Sequence, residues 1–489
     1  PAGRPPAPWS YPAEIRARAF EGGSPFLLAW GGSFSVTGMG LSLVIFPGIE
    51  FNRRLFSATS HRRKMRLIGN KTKLLGEIEG LLFDRGIEGG TLIDIFSGTS
   101  SVGKHFKRLG YKVLSNDLLP SCYAQAVASV EVSRPPSYRK FTSRHRDVLK
   151  SEKFVAGMHV QGDILDPATA EDPRRASKRL PLARAVHYLN TCVEPSEGLV
   201  YRNYCPGGEA DRLYFTDDNG RRIDGILGFL RDGYREELFT RGEFYLLLSA
   251  LIDAADRVAN ISGTYGAYLK SWQPSAMKSL RVSLPEVIES SQRNRAYNED
   301  ANSLVGRLKG DVLYLDPPYN QRQYAANYHV LDILAEHHLY DDLGEFEASL
   351  YGKTGLRPYG HLKSAYCVRK GRRRTKIANG AGAVGDVFSA MLDLVLSTKA
   401  TNVVISYNEE GLLTREEIGV ILARFTGSRA YDFDSGFREI SYKRFRSDRD
   451  RRESAEAAGR SYKVLDGRQK DELSEWLFFA ARESARVTS

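Results

Sequence analysis

Short apolar runs alternate with helical patterns in two parts of the chain, and this alternation restricts the fold more than any other feature. In residues 91–130 the strand-like runs TLIDIF and YKVLSND are each followed by a helical pattern. The order resumes with DVLYLD (311–316) and TNVVISY (401–407), again with helices after them. Strands that alternate with helices pair in parallel. We therefore predict an α/β fold with a parallel sheet, closed by an antiparallel pair formed by REISYKRFR and ELSEWLFFAAR.

Composition excludes several classes of protein. With 42% apolar and 26% charged residues, the 489-residue chain can bury a large core and is neither a disordered nor a coiled-coil sequence. No run approaches the about 18 apolar residues of a membrane span. Four cysteines are far apart and include no CxxC pair, which argues against disulfides and a zinc site and suits a cytoplasmic protein. A net charge of +11 favours nucleic acid as partner.

The N-terminal part differs from the rest. Residues 1–64 contain many prolines and glycines, eight Lys or Arg against three acids, and no periodicity. We predict that they form a disordered or non-native extension and that the natural chain starts at Met65. The alternative is a basic arm that contacts DNA through Arg62, Arg63 and Lys64.

Beyond the extension, one sheet is interrupted by a long insertion. We predict that residues 65–120 form one half of the sheet domain and residues 291–489 the other half. Residues 121–290 between them are too long for a structureless loop and are expected to fold on their own. Within them, YFTDDNG (214–220) is predicted to be a strand and turn. We expect His337 and His338, in the second half, to lie on a helix surface.

The first chemical motif is IDIFSGTSSVG (93–103), where a strand passes into a helix through small residues. Gly98 permits a tight turn and close approach to a ligand, although a purely structural turn would look the same. The GK[ST] ending of a phosphate loop is absent. Asp117 ends the next strand, where an acid can accept hydrogen bonds from ribose hydroxyls or simply cap the next helix. Together these features favour an adenosyl cofactor and leave NAD and S-adenosylmethionine as alternatives.

The sequence LYLDPPYN (313–320) is the most informative motif. Each proline fixes φ and lacks an N–H, so a rigid loop follows a buried strand. Such a loop presents the Asp316 carboxylate and backbone carbonyls as acceptors, which suit an amino group with two hydrogens. Tyr319 offers a flat face on which a base can stack. A simple proline turn is the structural alternative.

These motifs resemble the Dam-type family of site-specific DNA adenine methyltransferases over most of residues 65–489. IGNKTKLL (68–75) is similar to the family's amino-terminal cofactor motif. IDIFSGTSSVG resembles its glycine motif, and SNDL (115–118) its ribose-binding motif. NEDANSL (298–304), DVLYLDPPY and ISYNEEGLL (405–413) resemble later core motifs. One departure is Ser100, which stands where a second glycine is usual.

The resemblance implies a Rossmann-like, S-adenosylmethionine-dependent methyltransferase fold with a large inserted target-recognition region. It also implies methyl transfer to the amino group of an adenine flipped out of double-stranded DNA, without a metal. The implied catalytic residues are Asp316, Pro317, Pro318 and Tyr319. The implied cofactor-binding residues are Lys71, Asp94, Phe96, Gly98, Asp117, Asp300 and Asp316. A cytoplasmic, nucleoid-associated prokaryotic enzyme with a separate restriction endonuclease as partner is expected.

Candidate DNA contacts lie in the insertion and in a basic run. In GTYGAYLKSW (263–272), Tyr265, Tyr268 and Lys270 suit base, sugar and phosphate contacts, although a helix terminator beside the core is the alternative. The run 361–376 has seven Lys or Arg and no acid, which favours phosphate contact over a solvated face. Its candidate residues are Arg369, Lys370, Arg372, Arg373 and Arg374. An RNA methyltransferase and an inactive DNA-binding scaffold remain alternative functions.

Overall fold

A seven-stranded sheet organises the part of the protein that the computed structural model describes, namely residues 71–160, 173–369, 386–443 and 472–482. All of these residues belong to one compact unit, Arg62–Ser489. The strands are β1 Thr91–Asp94, β2 Lys112–Asn116, β3 Arg295–Tyr297, β4 Val312–Leu315, β5 Asn402–Asn408, β6 Phe437–Lys443 and β7 Glu472–Ala481. Their order across the sheet is β3-β2-β1-β4-β5-β7-β6. The prediction for residues 1–64 lies outside the described residues.

Strand pairing follows the predicted pattern. The strands β3, β2, β1, β4 and β5 pair in parallel with their neighbours. Strand β7 pairs antiparallel with both β5 and β6, which confirms the predicted closing pair. In this register Asp94 lies opposite Ser115 of β2 and Tyr314 of β4. The three strand ends that carry the predicted chemistry therefore meet at one edge of the sheet.

Helices cover both faces of the sheet, because its inner strands are apolar on both sides. The consecutive residues Leu92 and Ile93 of β1 point to opposite faces of the sheet, belong to two separate cores and are both fully buried. Helices that flank the sheet or follow its strands are α1 Leu75–Phe83, α2 Ser101–Arg108, α11 Ala301–Val305, α12 Tyr324–Asn327, α13 His329–Glu336, α14 Leu343–Ala348, α15 Val387–Ser397, α16 Arg415–Thr426 and α17 Phe433–Gly436. Short 3-10 turns occur at Lys71–Lys73, His337–Leu339, Gly360–Leu362 and Ala365–Cys367.

The segment between β2 and β3 is helical. It contains α3 Pro120–Ala126, a π-helical turn Val127–Glu131, α4 Arg139–Arg144, α5 Arg146–Lys150, α6 Glu152–Val160, α7 Pro173–Thr191, α8 Leu199–Tyr204, α9 Asp217–Arg235 and α10 Arg241–Val258. These helices share a large, aromatic-rich core with α13. Helix α10 begins with a capping box in which Thr240 and Glu243 bond to each other's backbone N–H.

Two local predictions, one within this segment and one in the second half of the sheet domain, are wrong. YFTDDNG is not a strand and turn, because Thr216 caps α9: its side chain accepts a hydrogen bond from the Asn219 N–H, and two acids follow in the first turn. His337 and His338 are buried rather than on a helix surface. His338 packs against Tyr234 and Phe244. Burial lowers the pKa of each histidine to about 4, so both are neutral at physiological pH.

Within the described ranges, no helix combines the length and the apolar composition needed to cross a bilayer.

Candidate active site

The carboxyl ends of β1, β2 and β4 open into one cavity, which holds about 1020 Å³ of space and is partly open to solvent. Every residue predicted to be catalytic or to bind the cofactor lines it, namely Lys71, Asp94, Phe96, Gly98, Asp117, Asp300, Asp316, Pro317, Pro318 and Tyr319. Residues as far apart in sequence as 71 and 319 thus meet at one site.

The turn between β1 and α2 has a strained, tightly bonded backbone. Gly98 has φ +49° and Ser100 has φ +56°, both in the left-handed region. The Ser97 N–H donates to the Asn116 carbonyl at 2.8 Å, which ties the turn to the end of β2. Ser100 therefore occupies a conformation that suits glycine, which explains why the family pattern has glycine there. Its Oγ is buried without a hydrogen-bond partner among the described residues.

Asp117 connects the two strand ends. Its Oδ2 accepts from the Gly98 N–H at 2.8 Å, and its Oδ1 accepts from the Leu119 N–H at 2.9 Å. Each carboxylate oxygen has a second lone pair, so the side chain can still accept hydrogen bonds from a ligand in the cavity. Removal from water raises the pKa of Asp117 to about 6, and the backbone donors limit the rise.

Asp94 lies deeper, at the end of β1, and is 1% exposed. Its Oδ2 accepts from the Gly103 N–H at 3.2 Å in the first turn of α2. Burial, together with the nearby charges of Asp316 and Asp117, raises the pKa of Asp94 to about 8. A carboxyl with this pKa carries only part of a negative charge at neutral pH, and a cation placed beside it would restore the full charge.

Asp316 follows β4 directly and takes part in an ion network. Its Oδ1 lies 3.1 Å from Lys71 Nζ, and the same ammonium donates to Glu475 Oε1. Ser406 Oγ also donates to Glu475 Oε1, at 2.7 Å. Burial and the Glu475 charge raise the pKa of Asp316, while Lys71 lowers it. Burial alone would lower the pKa of Lys71, but the two carboxylates more than reverse this and keep it charged.

Sequence reasoning missed Glu475, although the signal is present. Along β7, the side chains of Leu473, Glu475, Leu477 and Phe479 point to the same face because strands have a period of two. Leu477 and Phe479 belong to a buried core, and Glu475 is 2% exposed. An acid at a core-facing position of an apolar strand needs a buried cation as partner.

Aromatic side chains form one wall of the cavity. Tyr319, Tyr324, Tyr366 and Phe96 all line it, and only Tyr319 and Phe96 were predicted there. Phe96 and Tyr366 pack edge to face with ring centroids 4.8 Å apart. The Tyr366 hydroxyl donates to Asn302 Oδ1 at 2.7 Å, which fixes the ring. Such a wall suits a flat heteroaromatic ring.

The chain is similar to known proteins over most of its length. Residues 67–342 match the D12 class N6 adenine-specific DNA methyltransferase family. The chain belongs to this family. It is 33% identical over 430 residues to the Type II methyltransferase M.FokI of Planomicrobium okeanokoites, an alignment that covers 87% of this chain and 54% of the relative. It is 31% identical over 389 residues to the Type II methyltransferase M.NlaIII of Neisseria lactamica, which covers 79% of this chain and 93% of the relative.

The modification methylase StsI of Streptococcus sanguinis is 31% identical over 387 residues, which cover 78% of this chain and 49% of the relative. The chain therefore spans about half the length of M.FokI and StsI. No solved structure matches the chain. Family membership implies a methyl donor as cosubstrate, and the mixed α/β fold with its seven-stranded sheet is consistent with such an enzyme.

In this member of the D12 class family, the candidate DNA contacts that the structure describes are not among the residues that line the cavity. Tyr265 is fully buried, and its hydroxyl donates to Asp256 Oδ1 at 3.0 Å, so the ring belongs to the core and presents no surface to DNA. Tyr268 is half-buried against Tyr214, whereas Lys270 is exposed.

Within the basic run, Arg369 is exposed. The other candidates of that run, Lys370, Arg372, Arg373 and Arg374, lie outside the described residues. The described ranges contain no cluster of three or more His, Cys, Asp or Glu side chains that could hold a metal ion.

Proposed function

We propose that this chain transfers a methyl group from S-adenosylmethionine to the exocyclic amino group of adenine in double-stranded DNA, within a prokaryotic cytoplasm. The observation that carries the proposal is that Asp117 and the loop 316–319 line the same cavity. An acceptor for a ribose and an acceptor for an amino group thus face one space, as a transfer between two bound molecules requires.

The charge of the cavity favours S-adenosylmethionine over NAD. The described residues that line it include five acids and a single Lys or Arg, Lys71; the acids are Asp94, Asp117, Glu299, Asp300 and Asp316. A dinucleotide would bring an anionic pyrophosphate into this field. S-adenosylmethionine instead supplies an activated methyl group on a cationic sulfur, and its amino group is also positive. Ser97 Oγ, buried without a described partner beside the cavity, adds an unused polar atom for a ligand.

Residues of the loop 316–319 would act on the base. Asp316 Oδ1 faces Lys71, and its Oδ2 has no hydrogen-bond partner among the described residues, so Oδ2 can accept from the adenine amino group. The Pro317 carbonyl is the second acceptor. Tyr319 would stack on the ring of the target adenine after this base has flipped out of the duplex. Hydrogen bonds from both amino hydrogens would orient the nitrogen lone pair toward the methyl donor, and placement would be the main source of acceleration. The carbon–sulfur bond would break as the carbon–nitrogen bond forms, S-adenosylhomocysteine would leave, and the displaced amino proton would pass to Asp316 or to solvent.

Recognition of the DNA sequence is assigned to the helical segment 121–290 and to the basic run 361–376. Exposed Lys270 and Arg369 are suited to phosphate contact. Because the relatives are named Type II methyltransferases and a modification methylase, we place the chain in a restriction–modification system with a separate endonuclease as partner.

Methylation assays with labelled S-adenosylmethionine test the proposal. We expect the full chain to label double-stranded DNA, to leave RNA unlabelled, and to give N6-methyladenine at one sequence when host DNA is sequenced. Asp316→Ala should abolish labelling while calorimetry still detects cofactor binding. Label in RNA alone would move the activity to another substrate. Tight DNA binding without any cofactor binding would show an inactive scaffold instead.

A further inference from the structure

A second carboxylate, contributed by the last described strand, lies on the far side of the lysine that contacts Asp316. Glu475 of β7 is opposite Asn408 of β5 in the antiparallel register, and Ser406 of β5 is opposite Leu477. The Glu475 side chain is 2% exposed, and its Oε1 accepts from both Ser406 Oγ and Lys71 Nζ. Lys71 is thus held between a buried carboxylate that faces the core and one that faces the cavity.

We propose that Glu475 is a positioning residue for the transfer reaction: it holds the Lys71 ammonium at one oxygen of Asp316, so that the other oxygen remains available to the amino group of the target base. This inference rests on the proposed function, because it needs Asp316 to accept a hydrogen bond from a substrate. Glu475 itself is not among the residues that line the cavity, and it acts on Asp316 through its contact with Lys71.

The charge count supports a functional role over a structural one. One carboxylate is enough to neutralise a buried lysine. Well-packed apolar side chains of similar volume are often as stabilising as a buried ion pair, so stability alone does not call for the charged groups. Here two carboxylates share one ammonium, which leaves a net negative charge where water is scarce. Without Glu475, Lys71 would direct all its donors to Asp316 and compete with the substrate. The additional acid therefore preserves the acceptor strength of Asp316.

The surroundings of Asp316 determine how its titration responds. The described groups that act on it electrostatically lie on five elements: Lys71 on the first 3-10 turn, Asp94 at the end of β1, Tyr314 on β4, Tyr324 on α12 and Glu475 on β7. Lys71 favours the ionised form of Asp316, whereas Glu475 disfavours it. Neutralising either residue should shift the pH at which the methylation rate falls on the acid side of its pH profile. The two shifts should be in opposite directions.

The experiment compares single-turnover methylation rates of Glu475→Gln and Lys71→Gln with wild type across pH. Asp316 must be ionised to accept, so the rate falls as pH falls through its pKa. In Glu475→Gln the fall in methylation rate should move to lower pH, because the Glu475 charge that raises the pKa of Asp316 is gone. The plateau rate at high pH should drop about tenfold, since Lys71 then competes for Asp316. In Lys71→Gln the fall should move to higher pH.

Two further variants separate position and charge from folding. Glu475→Asp keeps the negative charge but has a side chain that is one methylene shorter. The pH at which its methylation rate falls should therefore stay near the wild-type value, while its plateau rate at high pH should decrease. Glu439→Gln makes the same charge change at an exposed position of the neighbouring strand β6 and should match wild type. Thermal unfolding of each variant reports folding, and Glu475→Asp carries the test if Glu475→Gln does not fold.

The positioning role would be overturned if the methylation rate of Glu475→Gln fell at the same pH as that of wild type. This holds whether the plateau rate is unchanged or the rate is reduced equally at every pH. A wild-type chain that transfers no methyl group to DNA would overturn the proposed function itself, before any variant is compared.

Discussion

Replacing Asp117 tests the cofactor site most directly, because this side chain has two separable roles. Its oxygens accept from the Gly98 and Leu119 N–H groups, and its remaining lone pairs face the cavity. Asp117→Asn keeps the size and one carbonyl acceptor but removes the charge. Asp117→Ala removes every acceptor and leaves two backbone donors without their partner.

The magnitudes follow from the hydrogen bonds. A hydrogen bond to a charged group contributes about 1.5–3 kcal/mol, so Asp117→Asn should weaken binding of S-adenosylmethionine by about 10- to 150-fold. Asp117→Ala should weaken binding at least as much. It should also lower the free energy of unfolding of the cofactor-free protein. The expected loss is about 1–3 kcal/mol for each of the two N–H groups that is left without a hydrogen bond to protein or water.

Calorimetric titration with S-adenosylmethionine gives the dissociation constants, and denaturant unfolding without the cofactor gives the stabilities. Asp434→Asn, at an exposed position on α17, is the matched control and should change neither quantity. If Asp117→Asn bound the cofactor within twofold of wild type, Asp117 would be a structural cap of the turn rather than a ligand-binding acid.

Three further changes give distinct outcomes. Methylation rates should fall in the order wild type, Tyr319→Phe, Tyr319→Ala, Asp316→Ala, because the ring contributes about 1–3 kcal/mol of stacking; equal losses from Phe and Ala would show that the hydroxyl matters instead. Ser100→Gly should raise the free energy of unfolding by about 1 kcal/mol, since φ +56° suits glycine; denaturant unfolding that shows destabilisation would contradict this. Asp94→Asn should gain stability relative to wild type by about 2–3 kcal/mol between pH 6 and pH 8.5, because folding raises the Asp94 pKa from 3.8 to about 8 and the ionised form opposes folding as pH rises; a stability difference that does not vary with pH would refute this.

Local rules were sufficient to predict six of the seven described strands and the strand ends, and they missed only the three-residue edge strand β3. Strands β1, β2 and β4 are short apolar runs followed by Gly98, Asp117 and Asp316, and parallel strands bring such ends to one edge. These regularities depend only on neighbours in sequence, so single-sequence reasoning detects them. The same reasoning located the antiparallel closing pair.

The remaining features depend on long-range packing, which the sequence does not display. The bond between Lys71 and Glu475 joins residues 404 positions apart. Tyr265 resembles a surface aromatic in a glycine-rich loop, yet its N–H donates to the Asn327 carbonyl at 2.7 Å and the ring is buried. The Thr216 cap was detectable locally, and the error there came from reading an acidic cluster as a turn.

The connectivity of the sheet has a consequence for how the protein folds. Strand β1 pairs with β4, and the Thr91 N–H donates to Asp311 Oδ2 at 2.6 Å across 220 residues. Contacts of such high sequence separation form slowly, because loop closure costs entropy before the contacts repay it. The helices between β2 and β3 pack in one core, which α13 also enters, and early collapse of these helices would shorten the effective loop. We therefore expect refolding in at least two phases, with the central sheet completed last and the edges of β1 and β2 open to aggregation until then.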